Sequence, residues 1–429
     1  MHGSLHHLPA HPLRVGLHNE VHARPPESMT PPVAVTHIVM ACDASQRAAS
    51  RAHAATLLRD HHLSPPDEAS THLRAELGAF RLRWELHTEF VTWTFSRILV
   101  SLPDDMPESA GARVPQSWLE GLPGLCLTAM QLWVLPRASD AATAVRKTLN
   151  DEALVGSTLL DGQAEVYTDF ALQADGFSRA LILAHDIRPR TLGRLMQQLL
   201  EVETYRMAAL LGLPKAREAS AVLGSVEGEL AALAQAIRTA GRDEEPQLLD
   251  RLTKLAGQVE SEHAATHSRL SASAAYFELV DRRIEDVGES PLPGLQTIGE
   301  FLNRRLSPAR ATCAWVARRQ EALSQRVSRI SNLLRTRVEI EQQQSSKDLL
   351  AGMNRRQELQ LRLQATVEGL SVAAITYYLV GLLTYLGKGA SSLGWPWKPE
   401  LVAAAAIPVI AAGVWWSMRR LHHRLLGKK

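Results

Sequence analysis

The densest group of potential metal-ligating side chains lies near the N-terminus, in the segment 18–25, which reads HNEVHARP. In an extended chain His18, Glu20 and His22 would share one face, whereas in a helix only the two histidines would do so. Either geometry could place two imidazoles on one divalent metal ion, with Glu20 as a third ligand only in the extended form. The same residues also fit an ordered segment whose polar side chains bond to nearby backbone.

A second histidine pair, His263 and His267, is spaced i, i+4 on a predicted helix. Glu262 directly precedes the first histidine, which differs from the HExxH order of zinc proteases, and no third ligand is evident. We therefore interpret this pair as part of a solvated helix face.

The helix predicted after residue 189 is unusually polar. Four of its side chains fall on one stripe, namely Arg194, Gln198, Glu201 and Tyr205. Glu203 and Arg206 form an i, i+3 pair of opposite charge. One interpretation is an interface or a ligand-facing polar network. The alternative, which we favour, is helix pairing combined with docking onto a sheet.

Composition narrows the function classes. The formal net charge of +2 over 429 residues gives no basic excess that would indicate nucleic acid as a partner. The three cysteines, Cys42, Cys126 and Cys313, are far apart and lack CxxC spacing, which favours a reducing compartment. The sequence contains no GxSxG, Rossmann fingerprint or paired catalytic carboxylates. We therefore expect no enzyme, no identifiable small-molecule substrate and no cofactor beyond the divalent metal considered above.

The first half of the chain predicts an α+β domain, residues 33–189, with a mixed sheet. It follows a His/Pro-rich segment, residues 1–32, that lacks the apolar core of a signal peptide. Alternation and turn signals predict seven strands, at Val33–Ala41, Ala79–His87, Glu89–Ile98, Leu125–Leu135, Leu154–Leu160, Ala164–Leu172 and Phe177–His185. Two helices are predicted between them, at Ser45–Leu63 and Ala141–Leu149.

Strand character stops at residue 190, and a helical region is predicted for residues 190–306. Its helices are expected at Thr191–Leu211, Lys215–Thr239 and Glu245–Val287, with a short one ending at Leu306. Ser307-Pro308 resembles an N-cap followed by proline at the first helical position. From there to residue 368 no proline intervenes, which predicts one long stalk helix, residues 307–368, with coiled-coil-like spacing in its first half.

Two uncharged apolar runs follow, residues 369–387 and 401–418, each long enough to cross a bilayer as a helix. Arginines and lysines concentrate before the first run and in the tail 419–429, and the loop 388–400 carries few. By the positive-inside rule, both termini face the cytosol and the loop faces outward. The sequence thus predicts a multi-pass protein of a bacterial cytoplasmic membrane, with the lipid bilayer as a partner.

The first run carries uncharged polar groups, and Tyr377, Gly381 and Thr384 share one face. These residues could line a pore in a homo-oligomer. The alternative is simple packing and anchoring of the hairpin. Self-association is expected in either case, because so long a helix needs partners along its length.

Four segments resemble a family of uncharacterised bacterial membrane-anchored proteins, domain of unknown function 3422. They are Leu17–Pro25 (LHNEVHARP), Gly193–Pro214 (GRLMQQLLEVETYRMAALLGLP), Leu333–Val338 (LLRTRV) and Gln360–Leu379 (QLRLQATVEGLSVAAITYYL). The resemblance covers nearly the whole chain. It implies an integral membrane protein of bacteria but no particular activity.

The layout also resembles CorA-type divalent cation channels, which join a cytosolic α/β domain through a stalk helix to two membrane helices. Those channels carry Gly-Met-Asn after the first membrane helix, and the corresponding residues 387–397 lack it. The tripeptide occurs instead at Gly352-Met353-Asn354, before the span. We therefore expect a membrane-anchored cytosolic binding or scaffolding protein, with a CorA-like channel or transporter of altered selectivity as the alternative.

Overall fold

The structure is a computed structural model that describes residues 11–22, 24–99, 108–137, 141–241, 244–391 and 398–426. The chain divides into two compact units, Met1–Ser331 and Asn332–Lys429. The first unit contains the sheet and most helices, and the second contains the apolar runs. The fold is α+β, as the sequence predicts.

One mixed sheet of nine strands, in the order β2-β3-β4-β1-β5-β8-β7-β6-β9, forms the centre of the first unit. The strands are β1 Val33–Ala41, β2 His72–Glu76, β3 Arg81–Leu86, β4 Phe90–Ile98, β5 Leu125–Pro136, β6 Val155–Leu159, β7 Ala164–Thr168, β8 Ser178–Ala184 and β9 Glu289–Pro291. The neighbours β5 and β8 are parallel, whereas β1 pairs antiparallel with both β4 and β5.

The helices of the described chain cover both faces of this sheet and continue beyond it. They are α1 Arg14–His22, α2 Ala44–Asp60, α3 Gln116–Glu120, α4 Ala141–Thr148, α5 Pro189–Leu210, α6 Gly212–Thr239, α7 Glu245–Val287, α8 Ile298–Ser391 and α9 Pro399–Leu426. Local signals set several ends. Asp43 and Gln46 form a capping box at the start of α2, and Gly288 ends α7 with a left-handed φ of 59°.

Each sheet face has its own apolar core. On one face Trp84, Trp93 and Phe95 pack with Leu57 of α2 and Trp118 of α3. On the other face, β5, β6, β7 and β8 pack under α5, α7 and the start of α8. Both cores follow from the period-2 alternation of strand residues, which sends successive side chains to opposite faces.

A buried carboxylate fixes α5 on the sheet. Glu203 is 2% exposed and accepts hydrogen bonds from the Thr128 hydroxyl of β5 at 2.9 Å and from Arg206 at 2.6 and 2.7 Å. The i, i+3 pairing predicted for Glu203 and Arg206 is therefore present. Because the pair is neutral and hydrogen-bonded, the helix can bring this carboxylate into the interior.

The seven predicted strands and the two predicted helices of the first half are all present. The short strands β2 and β9 were not predicted. Both lie at edges of the sheet, and β9 has three residues, too few for alternation to be detected.

The break predicted at Ser307-Pro308 is wrong, because α8 continues through Pro308 without interruption. Proline costs a helix one backbone hydrogen bond. Here Leu302, Leu306 and Ala309 are all buried in the core on either side of it, and that burial outweighs the local cost. The predicted short helix and the predicted stalk are therefore parts of one helix.

The second unit contains the two apolar runs, one within α8 and the other within α9, and both helices are long and apolar enough to cross a membrane. Of the predicted outer loop, residues 392–397 lie outside the described residues, as do residues 427–429 of the tail. At the end of α9 the guanidinium groups of Arg419 and Arg420 stack over Trp415 and Trp416, each 5.0 Å from the ring centroid.

Candidate functional site

A polar surface on the sheet is the starting point of the candidate site. In β3, Leu82 and Trp84 face the tryptophan-rich core, so Arg83 and Glu85 face the opposite side. The same alternation in β4 sends a row of hydroxyl side chains to this side. They are Thr92, Thr94 and Ser96.

Strand register aligns this polar surface across three strands. Thr94 lies opposite Arg83 of β3 and also opposite His37 of β1. Next to it, Thr92 lies opposite Glu85. Directly opposed residues on one face of a sheet have Cβ atoms within about 5 Å. The register alone therefore brings two charges, an imidazole and two hydroxyls together.

Helix α5 covers the polar surface without filling the space above it. The result is a cavity of about 290 Å³ between the sheet and α5. Its apolar wall consists of Met29, Val35, Phe90, Met196 and Leu200. Small-molecule sites typically combine such a mainly apolar wall with a few convergent polar groups.

The N-terminal segment 24–29 closes one side of the cavity. The Met29 amide donates to the Pro189 carbonyl at 3.0 Å. A Cβ atom built on Gly193 of α5 would lie 1.6 Å from the Glu27 carbonyl oxygen. Glycine at position 193 is thus what allows the segment to lie directly against α5.

His37 lies in the floor of the cavity as a neutral imidazole. Its Nδ1 is 2.8 Å from the Thr94 hydroxyl and its Nε2 is 3.0 Å from the Thr204 hydroxyl. Thr204 donates its own hydrogen to the Leu200 carbonyl at 2.8 Å, so Nε2 carries the ring proton and donates to Thr204. Burial lowers the pKa of His37 from 6.5 to about 4, which keeps the ring neutral at pH 7.

A chain of alternating charges crosses the cavity. Arg83 donates to Glu85 at 2.7 Å and to the Gln197 side-chain oxygen at 3.2 Å. The Gln197 amide donates in turn to Glu201 at 2.8 Å, and Glu201 also accepts from Arg283 of α7. At the other end the Arg24 Nε lies 3.9 Å from Glu85.

The ionised state of Glu85 is stabilised by this network. Burial by itself would raise the pKa of Glu85, but the charge and hydrogen bond of Arg83, together with Arg24, outweigh burial and lower it. Burial and the charge of Glu201 raise the pKa of Tyr205 to about 12. Burial also lowers the pKa of His87, which stacks on Phe90, to about 4.

One polar group in the cavity is unsatisfied. Thr92 is 4% exposed, and its hydroxyl has no hydrogen-bond partner among the described residues. A buried hydroxyl without a partner costs free energy, on the order of 1–3 kcal/mol. A ligand that accepts from or donates to Thr92 would recover that free energy.

The predicted metal site lies elsewhere, on α1. Because Arg14–His22 is helical, His18 and His22 are on one helix face, and the extended form that would add Glu20 is not adopted. Within the described residues there is no group of three or more potential metal ligands. The side chains of Glu20 and His22 lie outside that part, so metal binding by the two histidines stays a prediction.

The other sequence-predicted positions fall in separate places. On α7, His263 Nε2 is 3.2 Å from His267 Nδ1, and both residues are on the helix surface. On α8, the Thr384 hydroxyl donates to the Val380 carbonyl of its own helix at 2.8 Å. Tyr377 and Gly381 lie along the same face, and their role in a pore stays a prediction.

The polar stripe predicted on α5 is only partly the cavity wall. Glu201 and Tyr205 line the cavity, but Arg194 is exposed, and the third polar wall residue is Gln197 rather than Gln198. Sequence reasoning missed Arg83, Glu85 and Thr92 as site residues. The alternation in β3 and β4 showed a polar face there, but it could not show that α5 would cover it.

We expect Gly193→Ala to destabilise the protein, by about 1–3 kcal/mol, because the new methyl group displaces segment 24–29. The measurement is the thermal midpoint of the full chain in detergent. Gly228→Ala on α6 is the matched control. No atom lies within 4 Å of a Cβ there, so alanine should stabilise that helix slightly. Equal effects of the two substitutions would contradict the assigned packing.

The pH dependence of stability tests the environment of His37. Its folded pKa of about 4 lies below its ordinary value of 6.5, so between these values the unfolded chain binds the proton more tightly. The stabilisation is complete above pH 6.5 and falls toward pH 4, by at most about 1.4 kcal/mol per pH unit. His37→Gln should therefore flatten the midpoint-versus-pH curve between pH 6.5 and 4. His72→Gln, at an exposed position of β2, should leave the curve unchanged.

Comparison with known proteins identifies the family. The family model described as "Protein of unknown function (DUF3422)" matches residues 9–425. Comparisons with curated proteins and with solved structures found no match, so the resemblance to CorA-type channels has no support from them. Two of the four segments that resemble this family, 17–25 and 193–214, supply residues of the cavity wall. The matched range covers nearly the whole chain, and the chain belongs to the DUF3422 family, a family of unknown function.

Proposed function

We propose that this protein is a membrane-anchored binding protein, in which the cavity between the sheet and α5 binds a small molecule. The observation that carries the proposal is the cavity itself: about 290 Å³ with an apolar wall, a hydrogen-bonded polar floor and the unsatisfied Thr92 hydroxyl. Buried polar groups normally have partners, and one without a partner in a cavity is a natural ligand contact.

Binding accounts better for the floor than proton transfer does. Both ring nitrogens of His37 are engaged by threonine hydroxyls, and its low pKa opposes proton uptake at pH 7. A general base needs a free nitrogen and a pKa near the working pH. His37 is therefore suited to position neighbouring groups, and we propose no catalytic step.

The anchor is proposed from α8 and α9. Only 6% of each apolar segment is buried within the structure, which leaves large apolar surfaces to be covered. Lipid is the natural solvent for uncharged helical runs of this length. The basic residues on either side support an orientation in a bacterial cytoplasmic membrane with both termini in the cytosol. Tryptophans 415 and 416, stacked with arginines, suit the inner interface.

Self-association within the bilayer belongs to the same proposal. The second apolar run contains small residues at 403–406 and 411–413, a composition that allows membrane helices to approach closely. A protomer that assembles through these helices would form a scaffold carrying several cavities. Cross-linking in native membranes tests this, and a purely monomeric pattern would contradict it.

We expect Leu379→Arg to impair membrane insertion, because an arginine near the centre of the first apolar run costs about 2.5–3.5 kcal/mol. The measurement is the fraction of full-length protein that resists alkaline carbonate extraction. Leu350→Arg is the control, since Leu350 is also exposed on α8 but precedes the apolar run. If carbonate removes the wild-type protein from membranes, the anchor is ruled out.

The binding role is tested by filling the cavity. Leu200→Trp places an indole in the space beside the His37 floor, and circular dichroism checks that the variant folds. Small polar metabolites that raise the thermal midpoint of the wild-type protein should lose this effect in the variant. The control is Leu211→Trp, at an exposed position after α5. A compound that stabilises both variants equally binds outside the cavity.

A further inference from the structure

We infer that the cavity is a binding site for an α-amino acid, or a closely related zwitterion, with an apolar side chain. This inference rests on the proposed binding function and specifies its ligand class. Three features of the cavity carry it: its charge balance, the juxtaposition of a cation and an anion with spare bonding capacity, and its apolar wall.

The charges that line the cavity balance. They comprise three guanidinium groups, Arg24, Arg83 and Arg283, and three carboxylates, Glu27, Glu85 and Glu201. His37 and His87 are neutral at pH 7. A ligand with a net charge would leave one charge uncompensated in a largely buried space, which is costly. The ligand that fits is therefore neutral overall.

A site for an ammonium group is present beside Thr92. Among the described residues both cationic partners of Glu85, Arg83 and Arg24, contact its Oε1, so Oε2 is available to a ligand. Thr92 lies opposite Glu85 in the strand register, and its unpartnered hydroxyl can accept a hydrogen bond. A carboxylate oxygen and a hydroxyl oxygen together suit an ammonium donor.

A site for a carboxylate lies next to it. Arg83 spends one N–H on Glu85 and one on Gln197, so the guanidinium retains further donors out of five. Arg24, held by the Leu86 carbonyl at 3.3 Å, adds a second guanidinium at the same end. The two charged groups of an α-amino acid sit on one carbon atom. The adjacent Arg83 and Glu85 match that spacing, whereas a polyol would need neither charge.

The remaining space is apolar. Met29, Val35, Phe90, Met196 and Leu200 form the wall, and flexible methionine side chains can adapt to branched or linear aliphatic groups. A cavity of about 290 Å³ is large enough for a side chain such as that of leucine. Burial of this side chain would supply most of the affinity, and the two charged groups would supply selectivity.

The experiment compares four probes that share the branched aliphatic group of leucine. They are L-leucine, isoamylamine, isocaproate and isoamyl alcohol, titrated calorimetrically into the purified full chain in detergent. We expect L-leucine to bind at least about tenfold more tightly than each of the other three, since each analogue lacks at least one charged contact. Equal binding of leucine and the amine, the acid or the alcohol would overturn the zwitterion assignment while leaving a binding cavity.

Two variants test the assigned residues. Thr92→Val should weaken leucine binding about tenfold without lowering the thermal midpoint, because the hydroxyl has no partner to lose. Glu85→Gln should weaken leucine and amine binding but strengthen isocaproate binding, because the lining then carries a net positive charge. The matched controls are Thr88→Val and Glu76→Gln, at exposed positions of the same hairpin.

The outcomes separate the inference from the proposed function. If leucine binds equally well to Thr92→Val and to Glu85→Gln, the ammonium site is wrong. If none of the four probes binds the wild-type protein, the amino-acid assignment fails. The cavity-filling test with Leu200→Trp then decides separately whether the cavity binds another small molecule.

Discussion

The central constraint in this fold is the burial of a charged sheet face beneath a helix. Strands β3, β4 and β1 present Arg83, Glu85 and His37 to α5, and none of these side chains can be removed from water without a partner. The helix answers with side chains of its own. Gln197 and Glu201 continue the hydrogen-bonded chain to Arg283 of α7, while His37 is buried in its neutral form. The position of α5 is therefore tied to this network as much as to apolar packing.

Incomplete filling is the consequence of that constraint. Where β5 to β8 present apolar residues, α5 packs against them without a comparable space, as the buried Leu192, Leu195 and Leu199 show. Where the sheet is polar, long charged side chains reach across and leave a cavity between them. The glycine at position 193 then lets segment 24–29 close the side of this space. A site thus arises at the boundary between the apolar and polar parts of one sheet face.

The two units solve different solvent problems. In the first unit, charges are paired and apolar side chains are packed in two cores. In the second unit the apolar runs of α8 and α9 are almost wholly exposed within the structure. A bilayer, rather than more protein, is the environment proposed to complete them. Membership of the DUF3422 family covers both units in one match and so indicates that they belong to one kind of protein.

Much of the fold was predictable because it depends on local patterns. Alternation located β1, β3, β4 and β5, and the ends of α7 were predicted to the residue because a long polar–apolar period ends at Gly288. The break at Pro308 was wrong, since burial of Leu306 and Ala309 overrides a local helix-breaking signal. The short edge strands β2 and β9 depend on pairing with distant residues, which a local pattern does not contain.

The candidate site shows the same division more sharply. The sequence by itself determined the secondary structure of the hairpin, the polarity of its two faces, the two apolar runs and the family resemblance. It could not determine that the polar face would be covered, and so it identified no small-molecule site. Only the tertiary structure placed Glu85, Thr92 and His37 under α5, with residues 24–29 beside them. The reason is physical: burial changes the protonation and bonding of these groups, and burial is set by contacts between segments more than a hundred residues apart.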